Sequence, residues 1–186
     1  MSKVSLAGNA SGTGIFTIAS PNSNTDRTLT LPDNSGTVLT SASSVTQNSG
    51  PAFSAYKNAG QSFSSAVQTK VTFQTEEFDT NSCYDTATSR FTPTVAGYYQ
   101  INTELDVYSN SGLVFATIYK NGSENKRGNG TNASNSETYT SASALIYCNG
   151  TTDYIEIYVW STSGSPAIAN SGIVISYFQA AMIRSA

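Results

Sequence analysis

From Pro51 to the C-terminus, apolar and polar residues alternate with period two. No stretch carries the 3.6-residue period of an amphipathic helix. The alternation predicts strands over Ala52–Tyr56, Val67–Phe73, Ser89–Phe91, Tyr98–Tyr108, Leu113–Lys120, Tyr139–Cys148, Asp153–Trp160 and Ile173–Arg184. Turn residues separate them at Asn110-Ser111-Gly112, Asn121-Gly122, Asn149-Gly150 and Ser163-Gly164-Ser165-Pro166. Strands this closely spaced predict an all-β sandwich or jelly roll.

Some strands are apolar on both faces. In 153–160, Ile155, Ile157 and Val159 oppose Tyr154, Tyr158 and Trp160, with Glu156 among the aromatics. In 98–108, Tyr99, Ile101, Leu105 and Val107 oppose Tyr98, Gln100, Asn102, Glu104, Asp106 and Tyr108. In 173–184, Ile173, Ile175, Tyr177 and Ile183 oppose Val174, Phe178 and Met182. A strand that faces water on one side carries polar residues there. An aromatic second face needs a second cover, and another copy of the chain is the simplest. Tyr98, Tyr108, Tyr154, Tyr158, Trp160 and Phe178 are therefore expected at an interface between copies of the chain. The alternative is that loops or the N-terminal segment cover this face.

Residues 1–48 have another texture. Short β-like pieces, Gly14–Ile18 and Arg27–Leu31, lie between Gly, Asn, Ser and Pro. The stretch TDRTLTLPDNSGTVL, residues 25–39, reads as strand, turn, strand. Its few apolar residues cannot make a core, so it is expected to bury them against other copies or an outside partner. Residues 41–50 read as a linker to a head domain over 49–186.

Composition narrows the function. Charged residues are 11% of the 186, far below the ~25% of an ordinary domain, and the net charge is -3. The nine Lys and Arg form no basic stripe, which argues against nucleic acid. No apolar run is long enough for a membrane-spanning helix. The N-terminus lacks the apolar region of a secretory signal, so Cys83 and Cys148 are expected as buried free thiols. There is no His, which removes the commonest general base and metal ligand. Eleven Tyr among so few charges suit large neutral contact surfaces.

The remaining candidates for chemistry have plainer readings. Adjacent Glu76 and Glu77 point to opposite faces of a strand and cannot share a proton. Gly8, Gly12 and Gly14 open no helix and lack phosphate-loop spacing. Sequons at Asn9, Asn121, Asn129, Asn132 and Asn149 arise readily in a chain rich in Ser, Thr and Asn. Asp79, Asp85 and Asp153 are calcium candidates or, more simply, turn caps. Glu124, Lys126 and Arg127, in a predicted loop over 121–130, are either receptor contacts or a solvated connector. No cofactor, catalytic residue or metal site is expected.

A longer pattern now stands out. Ala52-Phe53-Ser54-Ala55, Phe78-Asp79, Asn81, Tyr84-Asp85, Phe91-Thr92-Pro93, Gly97-Tyr98-Tyr99 and Lys120-Asn121-Gly122 follow in order, then an aromatic closing strand. Over residues 51–186 this resembles the globular-head jelly roll of the complement and tumour-necrosis-factor superfamily. Thr152-Asp153 and Tyr177-Phe178-Gln179-Ala180 depart from the family's Gly-Asp and F-S-G-F. The resemblance implies a compact homotrimer. Some relatives bind calcium.

Residues 14–42 resemble a segment of bacteriophage tail-fibre and related virion proteins, through Gly14, Phe16, Thr17, Ser20, Pro21, Arg27, Thr28, Thr30, Leu31, Pro32, Asp33, Ser35, Gly36 and Thr37. Arm and head together resemble phage fibres, cyanophage fibres in particular. The resemblance implies a non-enzymatic virion protein, assembled in the host cytoplasm. The arm would dock on a capsid or tail protein through Phe16, Leu29, Leu31, Pro32 and Val38. The head would adhere to a host glycan or protein. A capsid decoration or head fibre is the nearest alternative, and a secreted lectin-like module a further one.

Overall fold

The computed structural model describes residues 11–15, 17, 19, 22–26, 28, 50–169 and 175–186. The chain divides into two compact units, Met1–Ser44 and Val45–Ala186. Phe16, Leu29, Leu31, Pro32 and Val38 lie outside the described residues, as do Ile173 and Val174. The described arm positions are exposed and form no strand, including those within the expected piece Gly14–Ile18.

The second unit is all-β, with no helix among the described residues. Its strands are β1 (Ala52–Tyr56), β2 (Gln61–Ser62), β3 (Thr69–Lys70), β4 (Thr75–Asp79), β5 (Tyr84–Asp85), β6 (Arg90–Phe91), β7 (Ala96–Lys120), β8 (Ser123–Asn149), β9 (Ile155–Ser161), β10 (Ala167–Ile168) and β11 (Tyr177–Ser185). β7 and β8 form one long antiparallel hairpin, with Ala96 opposite Asn149 and Lys120 opposite Ser123. Asn121 and Gly122 close it with φ of 54° and 76°, the positive values a two-residue hairpin turn needs.

This hairpin folds over and serves two sheets. Its first half, through 97–104 of β7, pairs with β11. Its second half, through 114–120 of β7, pairs with β9. The first sheet therefore runs β4–β1–β11–β7–β8 and the second β5–β6–β9–β7–β8. β3 also joins β9, and β10 links β2 to β7. This is a jelly-roll sandwich.

Two expectations need correction. Asn110-Ser111-Gly112 is not a turn, because β7 runs through it with Gly112 at φ 114°. The expected loop over 121–130 is a two-residue turn followed by strand. The first half of β8, SENKRGNGTNAS, has almost no apolar alternation. Backbone pairing with β7 makes it a strand. At the fold-over, Gly128 lies so close to β8's own second half that a Cβ would sit 1.9 Å from the Ser141 carbonyl oxygen. Asn129 Oδ1 accepts from the Ser141 N–H at 2.8 Å, and Thr140 Oγ1 donates to the Asn129 carbonyl at 2.9 Å. Side chains thus tie together the two halves of an edge strand that would otherwise lie open.

Most of the family-pattern aromatics meet in the core. Phe53 stacks on Tyr84 at 4.6 Å and on Phe91 at 4.7 Å, and meets Phe178 edge-on at 4.8 Å. Phe91 meets Tyr99 edge-on at 5.5 Å. Phe53, Tyr99 and Phe178 come from the first sheet, Tyr84 and Phe91 from the second, so the cluster locks the layers together. Tyr84 and Tyr99 satisfy their hydroxyls on the carbonyls of Phe73 and Val95, and burial pushes both phenols up. Gly97 sits inside β7. A Cβ there would lie 2.5 Å from the Arg184 carbonyl oxygen of β11.

Candidate functional site

The period of β7 turns Tyr99, Ile101, Leu105 and Val107 into the core. It leaves Tyr98, Gln100, Asn102, Glu104, Asp106 and Tyr108 on the outer side of the first sheet. Register extends this surface. Tyr98 lies opposite Tyr147, Gln100 opposite Leu145, Asn102 opposite Ser143 and Asp106 opposite Tyr139. β11 adds Tyr177, Gln179 and Ala181, and Ile183 near its end, while β4 adds Phe78 across from Ser54.

Large apolar groups are exposed here. Leu145 is 54% exposed, Ile183 58% and Phe78 51%, and Tyr98, Tyr108, Tyr139 and Tyr147 are all above 40%. Tyr98 and Tyr147 rings lie 5.5 Å apart. A groove of about 530 Å³ runs between Tyr98, Leu145, Ile183 and the C-terminal residues. A smaller one of about 270 Å³ is lined by Phe78, Gln100, Asn102, Gln179, Ala181 and Ile183 among others. Between the apolar groups the amides are already paired. Gln100 Nε2 donates to Ser143 Oγ at 2.9 Å, and Ser143 Oγ donates to Asn102 Oδ1 at 2.8 Å. The face is thus a rigid, mostly neutral surface with unburied aromatic and aliphatic groups, the composition of a contact surface.

The six expected interface residues do not share this face. Tyr98 and Tyr108 lie on it. Tyr154, Tyr158 and Trp160 lie on the outer side of the second sheet, half-buried by their own chain. Trp160 stacks on Phe115 at 4.8 Å, and the Arg127 guanidinium lies 4.3 Å over the same Phe115 ring. Tyr158 stacks on Tyr119 at 3.8 Å, and Arg90 lies 3.8 Å over Tyr154. Glu156, buried among them, accepts from Lys70 at 2.6 Å and Arg90 at 2.9 Å. Cations and neighbouring rings supply much of the cover that the alternation of β9 demanded. Phe178 is a correction. It is fully buried in the aromatic core and has no surface to offer a partner. Phe178, Ala180 and Met182 form β11's inward face, so Tyr177 and Ile183 are the outward ones.

Phe78, Tyr139, Leu145, Tyr147 and Ile183 were missed as contact residues. The signal was present for 139–148: Tyr139, Leu145 and Tyr147 share one parity against Thr140, Ala142, Ile146 and Cys148. Glu124 and Arg127 pair with each other through two bonds of 3.0 Å, on strand rather than loop, and Lys126 beside them is exposed.

The calcium candidates act as turn caps. Asp79 accepts from the N–H of Asn81 and of Tyr84, and Asp85 from the Ala87 N–H and the Thr88 hydroxyl. Asp153 accepts from Asn121 Nδ2, the Asn149 N–H and Lys120. Among the described residues no group of three His, Cys, Asp or Glu is gathered to hold a metal. Cys83 and Cys148 are buried and free, and burial pushes the Cys148 thiol up to about 11.

Comparison with known proteins agrees with this architecture. No curated protein sequence matches the chain. Among solved structures, the globular domain of zebrafish complement 1qA protein is similar at TM-score 0.53 and 18% identity, over 73% of this chain and 99% of that one. Eiger TNF from S. frugiperda is similar at TM-score 0.57 and 10% identity, over 74% and 94%. PRD1 vertex protein P5 is similar at TM-score 0.51 and 20% identity, over 72% and 97%. The family model described as C1q domain matches residues 52–174, and by that match the chain belongs to the C1q domain family.

Proposed function

We propose that this chain is a non-enzymatic virion structural protein, a trimeric fibre with a particle-docking arm and an adhesive head. The observation that carries the proposal is the outer face of the first sheet. Its exposed Tyr98, Tyr108, Tyr139, Leu145, Tyr147 and Ile183 form an apolar surface on a domain with few charges to keep copies apart. A second and third copy of the head bury it, which supports self-association in a closed ring. The arm, with Phe16, Leu29, Leu31, Pro32 and Val38, docks on a capsid or tail protein by strand addition or by winding with its copies. Three heads then present three sets of surface groups, Lys126 among them, and weak contacts to a host surface add by avidity.

The likeness to PRD1 vertex protein P5 favours a second placement, on the capsid rather than the tail. Electron microscopy of intact particles carrying a label on the head separates the two placements. Light scattering tests the shared part. The full chain is expected at three times its single-chain mass. Leu145→Glu is expected to reduce that to one chain while the β circular dichroism persists. An unchanged mass in the variant would remove this face as the contact surface.

A further inference from the structure

Asp106 is out of place on a surface built for contact. It shares the outer side of the first sheet with Glu104 and Tyr108, at alternate positions of β7. Register sets Asp106 opposite Tyr139, Tyr108 opposite Glu137, and Glu104 between Ser141 and Tyr177. Asp106 is fully buried, and neither of its carboxylate oxygens finds a hydrogen-bond partner among the described residues. Its backbone is satisfied instead: its N–H donates to Ser176 Oγ and its carbonyl accepts from the Ala169 N–H, both at 2.9 Å. A buried carboxylate without donors strongly disfavours its charged form.

Its ionisable surroundings are all acidic. Glu104 and Tyr108 face it from β7, Glu137 and Tyr139 from β8, and Tyr177 from β11. Ala167, Ile168, Ala169 and Ser176 carry no ionisable side chain, and by sequence neither do residues 170–174. Lys57, whose backbone N–H bonds the Ser176 carbonyl, turns its ammonium away to Gln61 and Thr72. Burial, and then the Glu137 charge, hold the Asp106 carboxyl above the usual carboxylate range. The Tyr139 phenol is pushed up in turn, chiefly by Asp106.

We propose that Asp106, with Glu104 and Glu137 at its rim, links self-association of the head to protons. Copies join on this face when Asp106 holds a proton and separate as it is lost. The inference rests on the self-association reading above. Closing another copy over Tyr108, Tyr139 and Glu137 removes the water nearest Asp106, which raises the cost of its charge. A proton on Asp106 removes that cost with no ligand geometry to satisfy.

Sedimentation equilibrium of the full chain from about pH 5 to about pH 8, at fixed ionic strength, tests this. The dissociation constant is expected to rise by roughly tenfold or more across that range. Asp106→Asn is expected to stay tight throughout, varying less than about threefold. Carboxyl NMR of Asp106 in the unaltered chain guards against a variant that fails to fold. Its midpoint should lie above the usual range, and higher in concentrated than in dilute samples. Assembly that ignores pH, an Asp106→Asn variant that keeps the original slope, or an ordinary Asp106 midpoint would each overturn the linkage. A chain monomeric at every pH and concentration overturns the self-association reading itself. A pH-independent trimer overturns only the linkage.

Discussion

Lys57 shows how one residue sets a pH response. Its ammonium is buried and held by neutral oxygens, Gln61 Oε1, the Thr72 carbonyl and Thr72 Oγ1, each at 3.1 Å. Burial lowers its pKa to about 8 from 10.5. Between those values the unfolded chain holds the proton and the folded chain does not, so stability rises with pH across that window. Below it both states are charged and the full burial cost applies. Lys57→Met should abolish a rise of up to roughly 3 kcal/mol between about pH 8 and 10.5. Urea midpoints of the two proteins, compared at each pH, check this. The comparison matters because raised phenols such as Tyr84 and Tyr99 act the other way at high pH. None of this was legible in the sequence, where Lys57 is one polar residue after an apolar strand. Its burial follows from β1 meeting residues 72 and 176, contacts no local pattern encodes. Phe178 teaches the same at another position. Parity correctly separated it from Tyr177, but parity alone cannot say which face is inward.

At the scale of elements, β9 was read correctly as apolar on both sides. What its second face meets is another matter. The stack of Arg127, Phe115 and Trp160 crosses three strands, β8, β7 and β9, and is assembled wholly within one chain. Trp160→Ser should therefore lower stability by roughly 2–3 kcal/mol, read from chemical denaturation, and leave the particle mass unchanged. A smaller particle would return this face to the assembly surface. β8 marks the opposite limit. Its first half is polar, carries the glycine-rich stretch around 128–130 and gives no periodic signal. It becomes a strand because β7 offers it backbone partners along its length, across two register shifts.

At the scale of the whole molecule, the outer face of the first sheet is made from β4, β1, β11, β7 and β8, which span most of the head in sequence. Its apolar groups become one surface only after folding. An arm that docks on the particle, as proposed, would act apart from assembly of the head. Leu29→Ser combined with Leu31→Ser in the full chain should preserve head assembly by light scattering. It should reduce incorporation into particles by about tenfold, counted by quantitative blotting of purified virions. Normal incorporation would move the anchoring role elsewhere.

By itself the sequence determined the all-β class, the sandwich and the aromatic pattern that fills the core. Those properties rest on period-two alternation, turn residues and spacing, which act over a few neighbours and can be read locally. Tertiary structure alone decided which face of each strand is inward and that Tyr98 and Trp160 belong to different sheets. It also decided that Asp106 lies buried without a donor. These depend on which distant strands pair and in what register, and a shift of one residue exchanges every inward and outward side chain.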